Sequence, residues 1–127
     1  MTNITWFKKD RDTTHSDADV SITLFKKATN GASIIIRNGY REEIAPDTDY
    51  IMVGVPADDT NRLVFMASDK ANGWKLYKRR NADSIYFTMI TGERMRDLCA
   101  RFAGNYQMEL YEDKGATLYC INRRNVL

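Results

Sequence analysis

The chain has 127 residues, 43% of them hydrophobic and 28% charged, with 19 Lys and Arg, 17 Asp and Glu, and a formal net charge of +2. That length fits one domain able to bury its own core, and the composition excludes disordered, collagen-like and disulfide-dense chains. The apolar stretches, such as 33–36 and 63–67, are strand-sized and too short for a membrane helix. The opening MTNITWFKKD has no apolar signal-peptide core, so a cytoplasmic location is expected.

Residues 1–19 read as a flexible polar arm with Ile4, Trp6 and Phe7 as its apolar anchors. From residue 20 the pattern is β-rich. Residues 20–27 alternate, with Val20, Ile22 and Leu24 on one face, and Asn30-Gly31 is a hairpin-turn signal. Residues 33–37 hold three consecutive Ile and fit a strand buried on both faces. Residues 41–44 can make one helical turn before Pro46. Strands follow at 50–55 and 62–67, separated by a turn at 57–61. The polar segment 69–73 is expected to link two halves.

The second half begins with alternating strands at 74–79 and 84–90, the latter with Ile85, Phe87 and Met89 on one face. A helix is expected next. Thr91 is its N-cap, Met95, Leu98, Cys99 and Phe102 form its apolar stripe, and Gly104 is its C-terminal cap. Residues 106–111 read as a strand burying Tyr106, Met108 and Leu110, then a hairpin turn at 113–115 and a closing strand at 116–121. The only cysteines, Cys99 and Cys120, read as small buried hydrophobes. A lone His15 supplies no zinc site, and no cofactor is expected.

The halves resemble each other. LFKKATNGASIII lies over LYKRRNADSIYF, DYIMVGV over NYQMELY and RLVFMAS over TLYCINR. This divides the single β domain, 20–127, into repeat one (20–68), a linker (69–73) and repeat two (74–123). A unit of about fifty residues buries a core poorly alone, and two copies packed about a pseudo-two-fold axis solve that problem.

In SIIIRNGYREEIAPDTDYIMVGVPADDTNRLVFMAS the order of strand, short helical REEI segment, polar turn, strand, hairpin and strand resembles the AbrB/MazE/SpoVT family of swapped-hairpin β-barrels. Two copies in one chain resembles its MraZ branch. The resemblance implies a mainly β, internally duplicated, pseudo-two-fold barrel and a DNA-binding function. The family's proline after the first core strand is replaced here by Asn38 in one half and by Ile90 or Thr91 in the other.

No catalytic constellation is found, so no enzyme is expected. The carboxylate pairs Glu42-Glu43, Asp58-Asp59 and Glu112-Asp113 read as solvated turn residues. Charge is uneven: residues 1–69 carry a balance of −3 and residues 70–127 one of +5. The segment WKLYKRR places Lys75, Tyr77 and Arg79 on one face of a strand and Lys78 and Arg80 on the other. Lys26 and Lys27 hold the matching place in the first half, and Arg123 and Arg124 follow the last strand. These nine residues are the candidate contacts to double-stranded DNA, the cations neutralising phosphates. Edge-strand cations that prevent sheet-to-sheet association are the competing explanation. A second expectation is a protein-interaction module, antitoxin-like or inhibitory, that grips a protein partner with Trp6 and Phe7 of the arm and its acidic first half. Exposed strand ends could also make a homodimer.

Overall fold

β-Branched and aromatic residues at alternate positions favour pleated, half-buried strands, and glycine at positive φ supplies the tight turns between them. In the computed structural model, residues 18–25, 31–80, 82 and 84–127 are described. Trp6, Phe7, His15, Lys26 and Lys27 lie outside the described residues. The elements are β1 (Val20–Leu24), β2 (Ala32–Ile36), α1 (Tyr40–Ile44), β3 (Tyr50–Gly54), β4 (Arg62–Ser68), β5 (Trp74–Lys75), β6 (Tyr77–Lys78), β7 (Tyr86–Ile90), α2 (Glu93–Ala100), β8 (Gly104–Tyr106), β9 (Glu109–Asp113) and β10 (Ala116–Asn122). A 3-10 turn, Arg123–Asn125, follows.

The protein is mainly β, built as two five-stranded antiparallel sheets. The first runs β6-β7-β2-β1-β8 and the second β5-β3-β4-β10-β9. Each joins one hairpin from each half of the chain, and the hairpins meet through β2–β7 in the first sheet and β4–β10 in the second. Neither sheet closes on itself among the described residues. Both contribute to one core: Ile34, Ile36 and Ile90 from the first, Ile51, Leu63, Phe65 and Ile121 from the second, with Cys99 and Phe102 from the α2 region.

Two short segments carry the chain from one sheet to the other. Leu76 alone separates β5 from β6, and Gln107 and Met108 separate β8 from β9. A backbone that leaves one ladder for another must find partners for its freed polar groups. At the first corner the Leu76 N–H donates to the Asp49 carbonyl at 2.7 Å. At the second, the Met108 N–H donates to Asp19 Oδ2 at 2.7 Å. Asp19 is 7% exposed, and its other oxygen accepts from Asn38 Nδ2 at 2.6 Å. Its backbone N–H donates to Tyr106 O and its carbonyl accepts from Arg37 N.

Several expectations need correction. β2 is not buried on both faces: Ala32, Ile34 and Ile36 face the core, while Ser33 and Ile35 face outward and are half-buried. In β7 it is Thr88 and Ile90 that are buried, whereas Met89 is 49% exposed and Phe87 is half-buried. The reason is register. Ile34 lies opposite Thr88 and Ala32 opposite Ile90, so β2 dictates which β7 residues point inward. The expected strands at 74–79 and 106–111 are each interrupted where the chain changes sheet, and Leu110 is 58% exposed. Thr91 is not the cap of α2; Gly92 holds that position with no side-chain hydrogen bond, because β7 stays extended to Ile90. Gly104 is not a helix cap either. It opens β8 at φ +136, where a Cβ would meet Val126 Cγ2 at 2.7 Å.

Asp19→Ala removes the acceptor of the Met108 amide and the partner of Asn38. It is expected to lower unfolding free energy by about 2–3 kcal/mol in urea titrations, with Asp19→Asn costing less because it keeps one acceptor. A loss under about 0.5 kcal/mol would show that the corner does not depend on this carboxylate.

Candidate nucleic-acid interface

The outward face of the first sheet follows from the alternation within its strands. With Ile34, Ile36, Thr88 and Ile90 inside, Ser33 and Ile35 of β2 and Phe87 and Met89 of β7 point away from the core. Tyr77 of β6 lies opposite Phe87 in the ladder, and the two rings stack at 5.6 Å between centroids with 29° between planes. Lys75 Nζ sits 5.5 Å from the Tyr77 ring centroid, within cation–π range. Tyr77 is 45% exposed.

Phe25, just beyond β1, donates its N–H to Gly31 O, and its carbonyl accepts from Arg96 Nη2 at 3.3 Å. This anchors the backbone of Phe25 at the border of the face. Phe25, Ser33, Ile35, Arg79, Phe87 and Met89 line a cleft of about 260 Å3. Its walls are apolar except for the Ser33 hydroxyl and the Arg79 guanidinium.

A second guanidinium shares this face: Arg79 donates its N–H to Ile85 O, and Arg37 follows Ile36, the ladder partner of Tyr86. Arg37, which follows β2, donates to Ser21 Oγ at 2.7 Å and to Ala18 O at 3.4 Å, and Ser21 Oγ donates to Asn105 Oδ1 at 2.6 Å. Burial, together with the Arg79 charge, holds the Arg37 pKa below its ordinary value. The strand positions that point outward here, Ser21, Thr23, Ser33, Ile35, Tyr77, Phe87, Met89 and Asn105, include no carboxylate. Asp19 at the border is buried and engaged by Asn38 and Met108.

The second sheet is different in charge. Arg62 meets Asp59 at 2.8 Å, Glu109 at 3.3 Å and the Cys120 sulfur at 3.3 Å. These contacts, led by those to Cys120 and Asp59, raise its pKa, and the same hydrogen bond from Arg62 lowers that of Asp59. Tyr111 donates to Asp58 at 2.8 Å, which pushes its phenol up to about 12. Tyr119 donates to Glu43 at 2.6 Å. Arg41 pairs with Asp49 at 2.6 Å. The turn carboxylates thus hold loops to strands.

Of the nine expected contacts, Tyr77 and Arg79 lie on the outward side of the first sheet, and Lys75, in β5 of the second sheet opposite Tyr50, reaches the Tyr77 ring across the Leu76 corner. Lys78 and Arg80 are exposed, Lys78 opposite Tyr86 and Arg80 in the turn after β6. Arg123 and Arg124 stand apart from this face, in the turn that ends β10 of the second sheet. The Arg123 N–H donates to Asn61 O at 2.8 Å, and the Arg124 guanidinium lies 3.0 Å from the Asn61 side-chain oxygen when that amide is turned toward it. Lys26 and Lys27 lie outside the described residues, as do Trp6 and Phe7. Sequence reasoning passed over Arg37, Ile35, Phe87 and Met89. The signal was the alternation Ser33-Ile35-Arg37, hidden inside an Ile-rich run. No family model, curated protein or solved structure matches this chain.

The two guanidiniums are expected to separate in a stability measurement. Arg37→Gln deprives Ser21 and Ala18 of a donor and should cost about 1 kcal/mol or more. Arg79→Gln removes a like charge beside Arg37 and should be neutral or stabilising in the same urea titrations. A destabilising Arg79→Gln would show that this side chain serves the fold rather than the face.

Proposed function

We propose that the protein is a non-enzymatic DNA-binding regulatory protein whose contact surface is the outward face of the first sheet. The observation that carries this reading is the aromatic cleft lined by Arg79, with Arg37 on the same face, Lys75 against the Tyr77 ring and no carboxylate at the outward strand positions among the described residues. Guanidiniums gathered on one face favour anions, and a polyphosphate backbone supplies a row of them. The nonpolar walls suit bases or sugars rather than free phosphate alone.

The scaffold in this reading is a duplicated, pseudo-two-fold barrel of the swapped-hairpin type. The ladders support it. Val20 lies opposite Tyr106 and Ser21 opposite Asn105 where first-half β1 meets second-half β8. Trp74 lies opposite Ile51 and Lys75 opposite Tyr50 where second-half β5 meets first-half β3. These are the same contacts with the halves exchanged. In this frame Ile22, rather than Leu24, is the counterpart of Leu76, and Ile51, rather than Tyr50, that of Tyr106. The segments around Leu76 and Met108 then join the edges of the two sheets into one closed wall.

The test is fluorescence-anisotropy titration of a mixed-sequence DNA, supplied as duplex and as one strand, at about 50 mM and about 200 mM salt. Binding that weakens at least about tenfold between the two salts, and that Arg79→Glu and Lys75→Glu each weaken by a similar factor, is expected. Absence of binding to either form at the lower salt would sink the reading and leave the cations as guards of a sheet edge.

A further inference from the structure

We propose that the cleft between β1, β2, β6 and β7 receives one unpaired nucleobase, so that the ligand of this face is single-stranded nucleic acid rather than duplex. The proposal rests on the nucleic-acid reading above and narrows its substrate class. Phe25, Ile35, Phe87 and Met89 supply the apolar walls and Arg79 the rim. At about 260 Å3 the cleft is smaller than a site for a drug-sized molecule and suits one planar ring system.

The chemistry of the walls chooses between strand forms. In a duplex the faces of the bases are stacked on each other and only their edges are offered to a protein. Edges are read by donors and acceptors, and among the described residues the lining offers Ser33 and Arg79 for that purpose. An unpaired base offers its π-face, which aromatic and thioether side chains accept without regard to sequence. Phe87 is already braced from the side by the stacked Tyr77 ring, so it does not have to be ordered when a base arrives. Lys75, against the Tyr77 ring, and Arg37, which follows Ile36 opposite Tyr86, supply cations for the phosphates that flank the base.

Fluorescein-labelled oligo(dT) and oligo(U) of about 12 nucleotides and a mixed-sequence duplex are titrated with the full chain at low salt. Both single strands are expected to bind at least about tenfold more tightly than the duplex. A gap between the two would assign the site to DNA or RNA and support the proposal in either case. Phe87→Leu keeps an apolar side chain but removes the ring, and should weaken single-strand binding about tenfold; Phe87→Tyr should restore it. Phe25→Leu, outside the strands, repeats the test where Phe87→Leu lowers the melting temperature. Duplex binding equal to or tighter than single-strand binding overturns this proposal but leaves the DNA-binding reading standing. Unchanged single-strand affinity in both folded Leu variants also overturns it. No binding of any oligonucleotide overturns both and points the face at a protein partner.

Discussion

The structure depends on what happens to the backbone where it leaves one sheet for the other. A strand that turns a corner loses its ladder, and an unpaired buried N–H costs about as much as the hydrogen bonds that secure a small domain's margin. Here Asp49 O meets the Leu76 amide and the Asp19 carboxylate meets the Met108 amide. The second solution has wider reach. Asp19 also holds Asn38, which sits at φ +61 in the turn before α1, and its main chain bridges Tyr106 and Arg37. One buried acid therefore ties the start of β1 to the end of β2 and to the corner between β8 and β9. The inward side chains of both sheets can share one core because these corners are held.

Fixing the corners also fixes which side of each strand is wet. In the first sheet the inward set is Ala32, Ile34 and Ile36, with Thr88 and Ile90 opposite. The outward set then includes Ile35, Phe87, Met89 and Tyr77, an apolar and aromatic patch between the polar positions Ser21, Thr23, Ser33 and Asn105. The cations follow the same logic. On the second sheet Arg62 is surrounded by acceptors. On the first, Arg37 is held by neutral oxygens and feels the charge of Arg79.

Much of the fold was legible. The strands expected at 50–55, 62–67 and 116–121, the helical turn at 41–44 and the amphipathic helix lie within a residue or two of those observed, because period-two and period-3.6 patterns are local. The hairpin at Lys114-Gly115, both at positive φ, was readable because few residues tolerate that backbone. The split of residues 74–78 and 104–113 between sheets was not, since nothing in a local pattern says where a strand changes partner. The site was half legible. Lys75, Tyr77 and Arg79 could be grouped because they are two apart in the sequence, whereas Arg37, Phe25 and Phe87 join them only through the β1–β2–β7–β6 ladders.

The sequence by itself determined that the chain is mainly β and that Cys99 and Cys120 would be buried, because each of these depends on residue type and near neighbours. Only the tertiary structure decided which of two alternating sets in β7 faces the core, that Arg123 and Arg124 pack beside Asn61, and that Arg37 shares a face with Arg79. Those outcomes depend on register between strands distant in the chain. A shift of one residue there would reverse every face while leaving the local pattern unchanged.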